Sequence, residues 1–195
     1  MNNLIRICIS AYLNDSPKKI DAAFSCVHSF LCQTYDNYEI YIHHDGPVND
    51  PTLADKFRKL SDKIVFIDNL EHKGHWGFYH RHGVSLMGPQ PDWVVYTNED
   101  NYYVPTFLEK MINTAIRTNT KMVYCDMIHS HQNWNLFRTH PSVGQIDMGA
   151  FMSHIDLIKN TPWTDFVSVA DGIYAEKIAN KTNPIKVDGI LFVHN

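Results

Sequence analysis

The chain has 195 residues, of which 44% are hydrophobic and 19% charged, and its formal net charge at pH 7 is −4 with histidine counted as neutral. This length suits one domain with a substantial core. The mildly negative charge argues against a general nucleic-acid-binding protein, which would normally carry a basic surface. No apolar run approaches the length of a membrane span, and the first residues lack the apolar segment of a signal peptide. We therefore expect a cytoplasmic protein without a transmembrane segment or a nucleic-acid partner.

Patterns typical of strands and helices alternate through the first part of the chain. The predicted strands cover residues 4–10, 38–43, 64–67 and 93–97. The predicted helices begin at Asp15-Ser16-Pro17, near residue 53, near residue 79 and at Pro105, and Asn37 ends the first of them. This alternation predicts βαβ units and a mostly parallel central sheet that is flanked by helices.

Beyond residue 122 the pattern changes to short apolar runs among polar turns. The runs MVYC, WNLF, MGAFM and ILFV predict further strands, with one helix near residues 170–179. We interpret this part as a smaller mixed β half of the same sheet, so that residues 1–195 form a single α/β domain. The final stretch, IKVDGILFVHN, has the pattern of a strand that ends with the sequence, which fits either a complete chain or a fragment of a longer protein.

The cysteines are Cys8, Cys26, Cys32 and Cys125. No pair has CxxC spacing, and each lies in an apolar stretch. We therefore expect reduced thiols in the core of a cytosolic protein.

A polar cluster follows each of the four predicted strands in the first part of the chain. The clusters are Ser10-Ala11-Tyr12, Asp45-Gly46, the segment 74–82 and Glu99-Asp100. Ligands of open α/β sheets bind beyond the carboxyl ends of the strands. The four clusters are therefore expected to converge on one crevice.

The acidic residues each allow two interpretations. Glu99 and Asp100 either form a helix-capping turn before Pro105 or supply hard oxygen ligands for Mg²⁺ or Mn²⁺, and their position after a buried strand favours the metal. Asp45 is either part of an ordinary Asx turn or a hydrogen-bond acceptor for a base or ribose. Asp171 is either a helix N-cap or a general base.

Histidines are frequent in the segment 71–83, EHKGHWGFYHRHG. Its glycines let backbone approach a ligand, and Arg81 is suited to a bidentate contact with phosphate. The histidines lack zinc-ligand spacing, so no zinc site is expected. His129 and His131 are predicted to lie in a solvated loop, and His194 is either a surface residue or a metal ligand.

Taken in order, these stretches resemble the inverting family 2 glycosyltransferases of the GT-A fold. IRICISAY is similar to the family's opening strand and nucleotide loop, and FLCQTYDNYEIYIHHDGPVND to its S-x-x-x-Q-T-Y-x-N-x-E-I-x-x-x-D-G-S-x-D signature. GHWGFYHRHGVSL resembles the G-x-x-x-A-R-N-x-G loop and helix, and YTNEDNYYVPTFLEKM the Asp-X-Asp region. MGAFM and ADGIYAEKI resemble the acceptor-side strand and the helix with the catalytic base. The resemblance runs nearly end to end.

The resemblance implies a GT-A (Rossmann-like) fold with a nucleotide-binding half, 1–104, and an acceptor-binding half, 105–195. It implies a metal-dependent transfer of one sugar, with inversion, from a nucleotide-sugar (a UDP-sugar in particular) to a hydroxyl of a glycan or similar acceptor. Tyr12 would stack on the base, Asp45 would bond its imide N–H, and Arg81 would share the charge of the diphosphate. The implied nucleotide-binding residues are Ser10, Ala11, Tyr12, Asp45, Gly74, Arg81 and Glu99.

The resemblance also assigns Asp100 and His194 to a Mn²⁺ or Mg²⁺ ion and makes Asp171 the base. The family's Asp-X-Asp corresponds here to Asn98-Glu99-Asp100, so Asp100 remains as the metal ligand and Glu99 faces ribose or assists through water. Other departures are Pro47 for Ser, His82 for Asn and Ala170-Asp171 for Glu-Asp. These changes bear on donor selectivity and leave the base assignment on Asp171 alone.

Two other classes are alternatives. A nucleotidyltransferase that makes nucleotide-sugars would normally have a Gly-rich loop with Arg or Lys directly after the first strand, where this chain has SAYLNDS. A non-catalytic sugar- or nucleotide-binding module would use some of the 4 tryptophans and 10 tyrosines to line a groove, although most such aromatic residues belong to cores.

Overall fold

The computed structural model describes residues 3–14 and 16–195, with Trp76 described through its backbone alone. The strands are β1 (Ile5–Ala11), β2 (Tyr38–His44), β3 (Ile64–Asp68), β4 (Trp93–Asn98), β5 (Tyr102–Tyr103), β6 (Met122–His129), β7 (Asn135–Phe137), β8 (Phe151–His154) and β9 (Ile185–His194). The helices are α1 (Pro17–Leu31), α2 (Leu53–Arg58), α3 (Phe78–Ser85), α4 (Phe107–Thr118), α5 (Ile155–Lys159) and α6 (Ala170–Ala179).

These strands join one sheet in the order β3-β2-β1-β4-β8-β6-β9-β5, with β7 paired to β6. The first four strands of this order are parallel to one another. Past β4 the sheet is mixed: β8 runs antiparallel to β4 and β6, whereas β6 and β9 are parallel. The α/β prediction, parallel in its first half and mixed in its second, is therefore confirmed.

The central parallel strands are buried on both faces. All seven residues of β1 are buried, as are residues 93–97 of β4. Strands that are covered on both sides appear in sequence as continuous apolar runs, because neither face meets water. Helix α1 covers one face with Ala23, Val27 and Phe30.

Arg6 is the charged exception within β1. Its side chain has no exposed surface and forms an ion pair of 2.6 Å with Glu39. Its guanidinium also donates to the carbonyls of Val84 and Ser85, at 3.4 and 3.1 Å. A cation at the last carbonyls of a helix satisfies unpaired acceptors, so Arg6 anchors the C-terminal end of α3.

The first helix ends earlier than the sequence predicts, at Leu31 rather than near Asn37. The Gln33 side chain explains the change of direction. It donates to the Val104 carbonyl at 2.8 Å and accepts from the Leu108 N–H at 2.9 Å, which links the end of α1 to the start of α4. Asp15, part of the predicted helix start, lies outside the described residues.

The prediction of core thiols is wrong for one cysteine. Cys8, Cys26 and Cys125 are buried, and burial raises the pKa of Cys8 and Cys125 to about 12. Cys32, directly after α1, is exposed. All four are free thiols.

Candidate active site

The carboxyl ends of β1, β2 and β4 lie side by side, and the strand register places Ser10 opposite both His43 and Asn98. Two cavities open beyond these ends. The smaller cavity, of about 340 Å³, and the larger cavity, of about 480 Å³, both have Asn98 in their walls. Six of the residues singled out in the sequence line the smaller cavity: Ser10, Ala11, Tyr12, Asp45, Glu99 and Asp100.

Tyr12 forms one wall of the smaller cavity with its ring. The ring lies 4.4 Å from the His72 ring, and the Lys19 ammonium lies 5.6 Å from its centre. The Tyr12 N–H faces Glu99 Oε1 at 3.4 Å, which ties the loop after β1 to the loop after β4. An aromatic ring so held offers a flat surface for a planar ligand.

Asp45 is nearly fully buried at the end of β2, and its carboxylate holds the loop that follows β3. It accepts from the Lys73 and Gly74 N–H groups, at 2.9 and 2.7 Å, and lies 3.2 Å from His80 Nε2. Gly74 therefore contributes through its backbone, and it is absent from the walls of both cavities. The contact of Asp45 with a base stays a prediction.

Arg81 lies beneath the two cavities, with no exposed side-chain surface. Its guanidinium donates to Ser10 Oγ at 2.9 Å, to Asn98 Oδ1 at 2.9 Å and to Asp171 Oδ1 at 3.4 Å. Burial lowers its pKa to about 10, although Asp171 and Asp147 oppose the shift. Arg81 is therefore a buried cation that joins the ends of β1 and β4 to the start of α6.

A hydrogen-bond chain continues from Arg81 through Ser10 to His43. Ser10 Oγ accepts from Arg81, so its hydroxyl hydrogen is free to be donated to His43 Nε2 at 3.0 Å. Burial lowers the pKa of His43 well below its usual value, and Arg81 adds to this effect. Within the described residues His43 Nδ1 has no partner, so His43 is a neutral imidazole enclosed under the site.

The two acidic residues after β4 differ in their surroundings. Burial raises the pKa of Glu99 to about 7, and the neighbouring Asp100 charge adds to the increase. Burial also raises the pKa of Asp100, while His194 and Lys19 oppose it. Two adjacent carboxylates with raised pKa values favour a cation nearby, because a positive charge lowers the free energy of both ionised forms.

Asp100 and His194 fit a divalent metal ion by their chemistry. His194 is an imidazole whose pKa is lowered by burial, and Asp100 is the charge that most strongly opposes this. Its buried Nδ1 has no hydrogen-bond partner among the described residues. Carboxylate oxygens suit Mg²⁺ and Mn²⁺, and a neutral imidazole is a common metal ligand. The described residues contain no group of three or more Asp, Glu, His or Cys side chains that could hold a metal ion.

Asp171 lies in the first turn of α6. Its side chain lines the larger cavity together with those of His194 and Asp147. The Asp171 and Asp147 carboxyls lie in the wall of the same cavity, and the charge of Asp147 adds to the rise in the pKa of Asp171 that burial causes. Burial raises the pKa of both, and Arg81 opposes the shift. The Asp147 carboxylate also lies 3.7 Å from His194 Nε2.

The sequence analysis missed Asp147 and placed one histidine wrongly, whereas His131 lies, as predicted, in an exposed turn after β6. His129 is the last residue of β6 rather than part of a solvated loop, and its ring stacks 4.2 Å from that of His194. His129 and His131 both line the larger cavity. The available signal was position: Asp147 directly precedes an apolar run, MGAFM, that the sequence analysis assigned to the acceptor side.

Helices long and apolar enough to cross a bilayer are absent from the described residues.

Solved proteins with the same fold include S. aureus TarS 1–349, at 12% identity and a TM-score of 0.75, covering 100% of this chain and 60% of that chain. The structure of TarS 1–349 in complex with UDP aligns at 13% identity and a TM-score of 0.74, and the alignment covers 99% of this chain and 60% of that chain. The mannosyltransferase PcManGT from Pyrobaculum calidifontis, in complex with GDP-Man and Mn²⁺, aligns at 14% identity and a TM-score of 0.76, covering 100% and 57%. These likenesses confirm the GT-A fold.

Among curated proteins, EpsH of Bacillus subtilis (strain 168), which is assigned to the glycosyltransferases, is 25% identical over 103 residues. The match covers 52% of this chain and 28% of EpsH, so the chain spans only part of the length of its relatives. The family model described as glycosyl transferase family 2 matches residues 7–172. These residues include the ends of β1, β2 and β4, the acidic residues that line the two cavities and the start of α6. The chain belongs to glycosyl transferase family 2.

Proposed function

We propose that this domain transfers one sugar, with inversion and with the help of a divalent metal ion, from a UDP-sugar to a hydroxyl of a glycan or similar acceptor. The observation that carries the proposal is the pair of cavities joined at Asn98. Asp100 lies on the smaller cavity and Asp171 on the larger. A donor in one cavity and an acceptor in the other would meet at the shared wall.

The donor would occupy the smaller cavity. Tyr12 would stack on the base, and the loop held by Asp45 would present Gly74 and its neighbours to the nucleotide. Glu99 would face the ribose, and Ser10 and Ala11 would line the floor. UDP as the nucleotide is supported by TarS, which is solved with UDP, whereas PcManGT is solved with GDP-Man and Mn²⁺.

Asp100 and His194 would hold Mn²⁺ or Mg²⁺, because Asp100 offers a carboxylate in the wall of the smaller cavity and His194 an imidazole in the wall of the larger cavity. The ion would supply positive charge to a diphosphate leaving group. Arg81 donates to Asn98, which lies in the walls of both cavities, and contributes a fixed positive potential that is strengthened by its burial.

Asp171 would be the general base. It would take the proton of the acceptor hydroxyl while the hydroxyl oxygen bonds to the anomeric carbon from the face opposite the diphosphate. The bond from that carbon to the diphosphate breaks, and its electron pair leaves with the phosphate oxygen. Burial raises the pKa of Asp171, which brings this carboxylate nearer to the range in which a base works well at neutral pH.

Thermal unfolding with a panel of nucleotide-sugars, with and without Mn²⁺, tests the proposal. A donor at 100 times its Kd stabilises the fold by about 2.7 kcal/mol, which raises the Tm of a domain this size by about 5–10 °C. Asp171→Asn should keep this shift and lower transfer by roughly 10²–10⁴-fold. Asp100→Ala should lose the metal-dependent part of the shift.

Each component has an outcome that contradicts it. Normal transfer by Asp171→Asn means that the base is another residue, and unchanged metal dependence in Asp100→Ala places the cation elsewhere. Release of pyrophosphate instead of nucleoside diphosphate identifies a nucleotidyltransferase, and binding without turnover of any donor identifies a binding module. Asp156→Asn is the matched control, because Asp156 is a half-exposed carboxylate that lines neither cavity.

A further inference from the structure

His44 is a fully buried histidine at the end of β2 that has no role in the mechanism above and lines neither cavity. Its two ring nitrogens have different partners. Nε2 lies 2.9 Å from the backbone nitrogen of Leu13, in the loop after β1, and Nδ1 lies 2.6 Å from the carbonyl oxygen of Gly46, in the turn after β2. His44 therefore ties together the loops that follow two neighbouring strands.

These partners fix the protonation state of the His44 ring. A backbone N–H only donates, so Nε2 accepts from Leu13 and carries no hydrogen. A carbonyl oxygen only accepts, so Nδ1 carries the hydrogen and donates it to Gly46. Both bonds therefore form only with the neutral imidazole that is protonated at Nδ1. A second proton would bind at Nε2, face the Leu13 N–H and break that bond.

The bond from Leu13 also holds Tyr12, the preceding residue, which forms one wall of the smaller cavity. The Tyr12 ring stacks on the His44 ring with 5.6 Å between their centres, and it lies 4.4 Å from the His72 ring. The turn at Gly46 packs tightly on His72, because a Cβ added to this glycine would lie 3.0 Å from the His72 Cβ. Both residues that His44 bonds to thus support the Tyr12 ring, one through the chain and one through His72.

Charged and titratable groups face His44 or its stacked Tyr12 ring from the neighbouring segments: Asp45 from the turn after β2, Asp68 from β3, His72 from the loop after β3 and Lys19 from α1. The carboxylates and the Gly46 carbonyl favour a protonated His44 and His72 opposes it, but burial is the strongest influence and lowers the pKa of the ring. His44 is therefore neutral at pH 7, and acid breaks its bond to Leu13.

We infer that His44 is a positioning residue for the nucleotide: the neutral ring holds Tyr12 in the wall of the smaller cavity, and a proton on Nε2 releases that wall and weakens donor binding. His44 touches no reacting atom and acts only through Leu13, Gly46 and Tyr12. This inference rests on the proposed function, because that function places the base of the donor on Tyr12. It adds that donor affinity falls in acid for a reason that lies outside the metal ligands and the general base.

Binding of UDP-glucose, UDP-GlcNAc and GDP-mannose in the presence of Mn²⁺, measured by calorimetry from pH 7.5 to pH 5.0, tests the inference. Below the pKa of His44 the affinity should fall by up to about tenfold per pH unit, since only the neutral fraction is competent to bind. His44→Gln presents an amide oxygen to the Leu13 N–H and has no proton to gain. Its loss of affinity over the same range should be at least about threefold smaller. Glu99 and Asp100 also titrate, but their share persists in His44→Gln, so the difference between the two proteins belongs to His44.

Two further measurements identify the bond that matters. At pH 7.5 His44→Asn, which offers an N–H to Gly46 but nothing to Leu13, should bind the donor about 3- to 10-fold more weakly than His44→Gln, the usual value of one hydrogen bond. In the NMR spectrum of ¹⁵N-labelled protein, the His44 imidazole should carry its hydrogen on Nδ1 at pH 7.5, and its signals are assigned by their absence from His44→Gln. His28→Gln is the matched control, because His28 is an exposed histidine of α1 that lines neither cavity, and it should keep the pH profile of the unmodified protein.

The same pH profile in His44→Gln and in the unmodified protein overturns this inference alone, and so does a hydrogen on Nε2 at pH 7.5. Equal donor affinity of His44→Asn and His44→Gln at pH 7.5 also overturns it, since the bond to Leu13 would then be without effect. The NMR measurement and the His44→Gln profile decide the question even where His44→Asn fails to fold. Absence of donor binding by the unmodified protein at pH 7.5 refutes the proposed function and this inference together.

Discussion

Replacement of Arg81 by Met should destabilise the domain strongly. Arg81 has no exposed side-chain surface and donates to Ser10, Asn98 and Asp171. Its guanidinium also lies 4.2 Å from the Phe78 ring centre. Met fills a similar length of the site but removes the guanidinium that donates to these three acceptors.

The size of the loss follows from the partners that remain. Removal of one member of a buried ion pair costs about 3–5 kcal/mol, because the other charge is left uncompensated. Asp171 is 19% exposed and therefore retains some solvation, which favours the lower end, about 3 kcal/mol. A domain has only about 5–15 kcal/mol of stability, so the variant should unfold at a clearly lower urea concentration.

Urea unfolding of Arg81→Met, Asp171→Asn and the double variant at pH 7.5 measures this loss and its cause. If the main cost is the Asp171 charge left without its partner, removal of that charge should restore about 1–2 kcal/mol of the free energy of unfolding. This value lies within the range of coupling energies for residues in contact. Strict additivity of the two changes, or a loss below about 1 kcal/mol for Arg81→Met alone, would refute the ion-pair reasoning. Arg81→Lys keeps the charge but not the fork of donors, so its free energy of unfolding should lie between those of the unmodified protein and Arg81→Met.

Four further substitutions probe separate parts of the domain. His43 is neutral in the fold because burial lowers its pKa. In the unfolded chain the His43 imidazole takes up a proton near pH 6.5. The folded state therefore loses stability as the pH falls below that value, by at most about 1.4 kcal/mol per pH unit. His43→Gln should flatten the urea midpoint between pH 7 and 5 relative to the unmodified protein, and an unchanged slope contradicts this. Gly172→Ala would place a Cβ 2.7–2.8 Å from the backbone of residues 142–144 and should lower stability by about 1–3 kcal/mol. In Gly83→Ala the added Cβ would meet nothing within 4 Å, so this variant should raise stability by up to about 1 kcal/mol. Equal effects of Gly172→Ala and Gly83→Ala would contradict the argument from packing. Tyr12→Ala should abolish most of the nucleotide-dependent rise in Tm without altering the Tm of the ligand-free protein by more than about 4 °C, and a fully retained rise would exclude stacking.

Most element positions could be predicted from the sequence, because local period and composition decide them. The strands around Ile7, Ile40 and Val95 are buried on both faces, so they are mostly apolar, with the ion-paired Arg6 and Glu39 as exceptions. The end of α1 could not be predicted in this way. Gln33 ends it by bonding to Val104 and Leu108, which are distant in the chain.

Most residues of the candidate site could likewise be selected from the sequence, but their neighbours in space could not. Each strand end contains its own polar cluster, so Tyr12, Asp45 and Asp100 could be selected from local pattern and resemblance. The neighbours of these residues are set by strand order, and the placement of β8 between β4 and β6 depends on pairings between distant segments. Local pattern contains no information about such pairings.

The sequence by itself determined the α/β class, the parallel first half and the polar character of the strand ends, since these follow from the period of apolar residues and from the residue that follows each run. Only the tertiary structure decided that Arg81 is a fully buried cation, that Asp147 and Asp171 line one cavity and that His194 lies 3.7 Å from Asp147. The physical reason is that burial and charge pairing depend on which segments the sheet brings into contact, and the free energy of a carboxylate depends on the charges around it in space rather than along the chain.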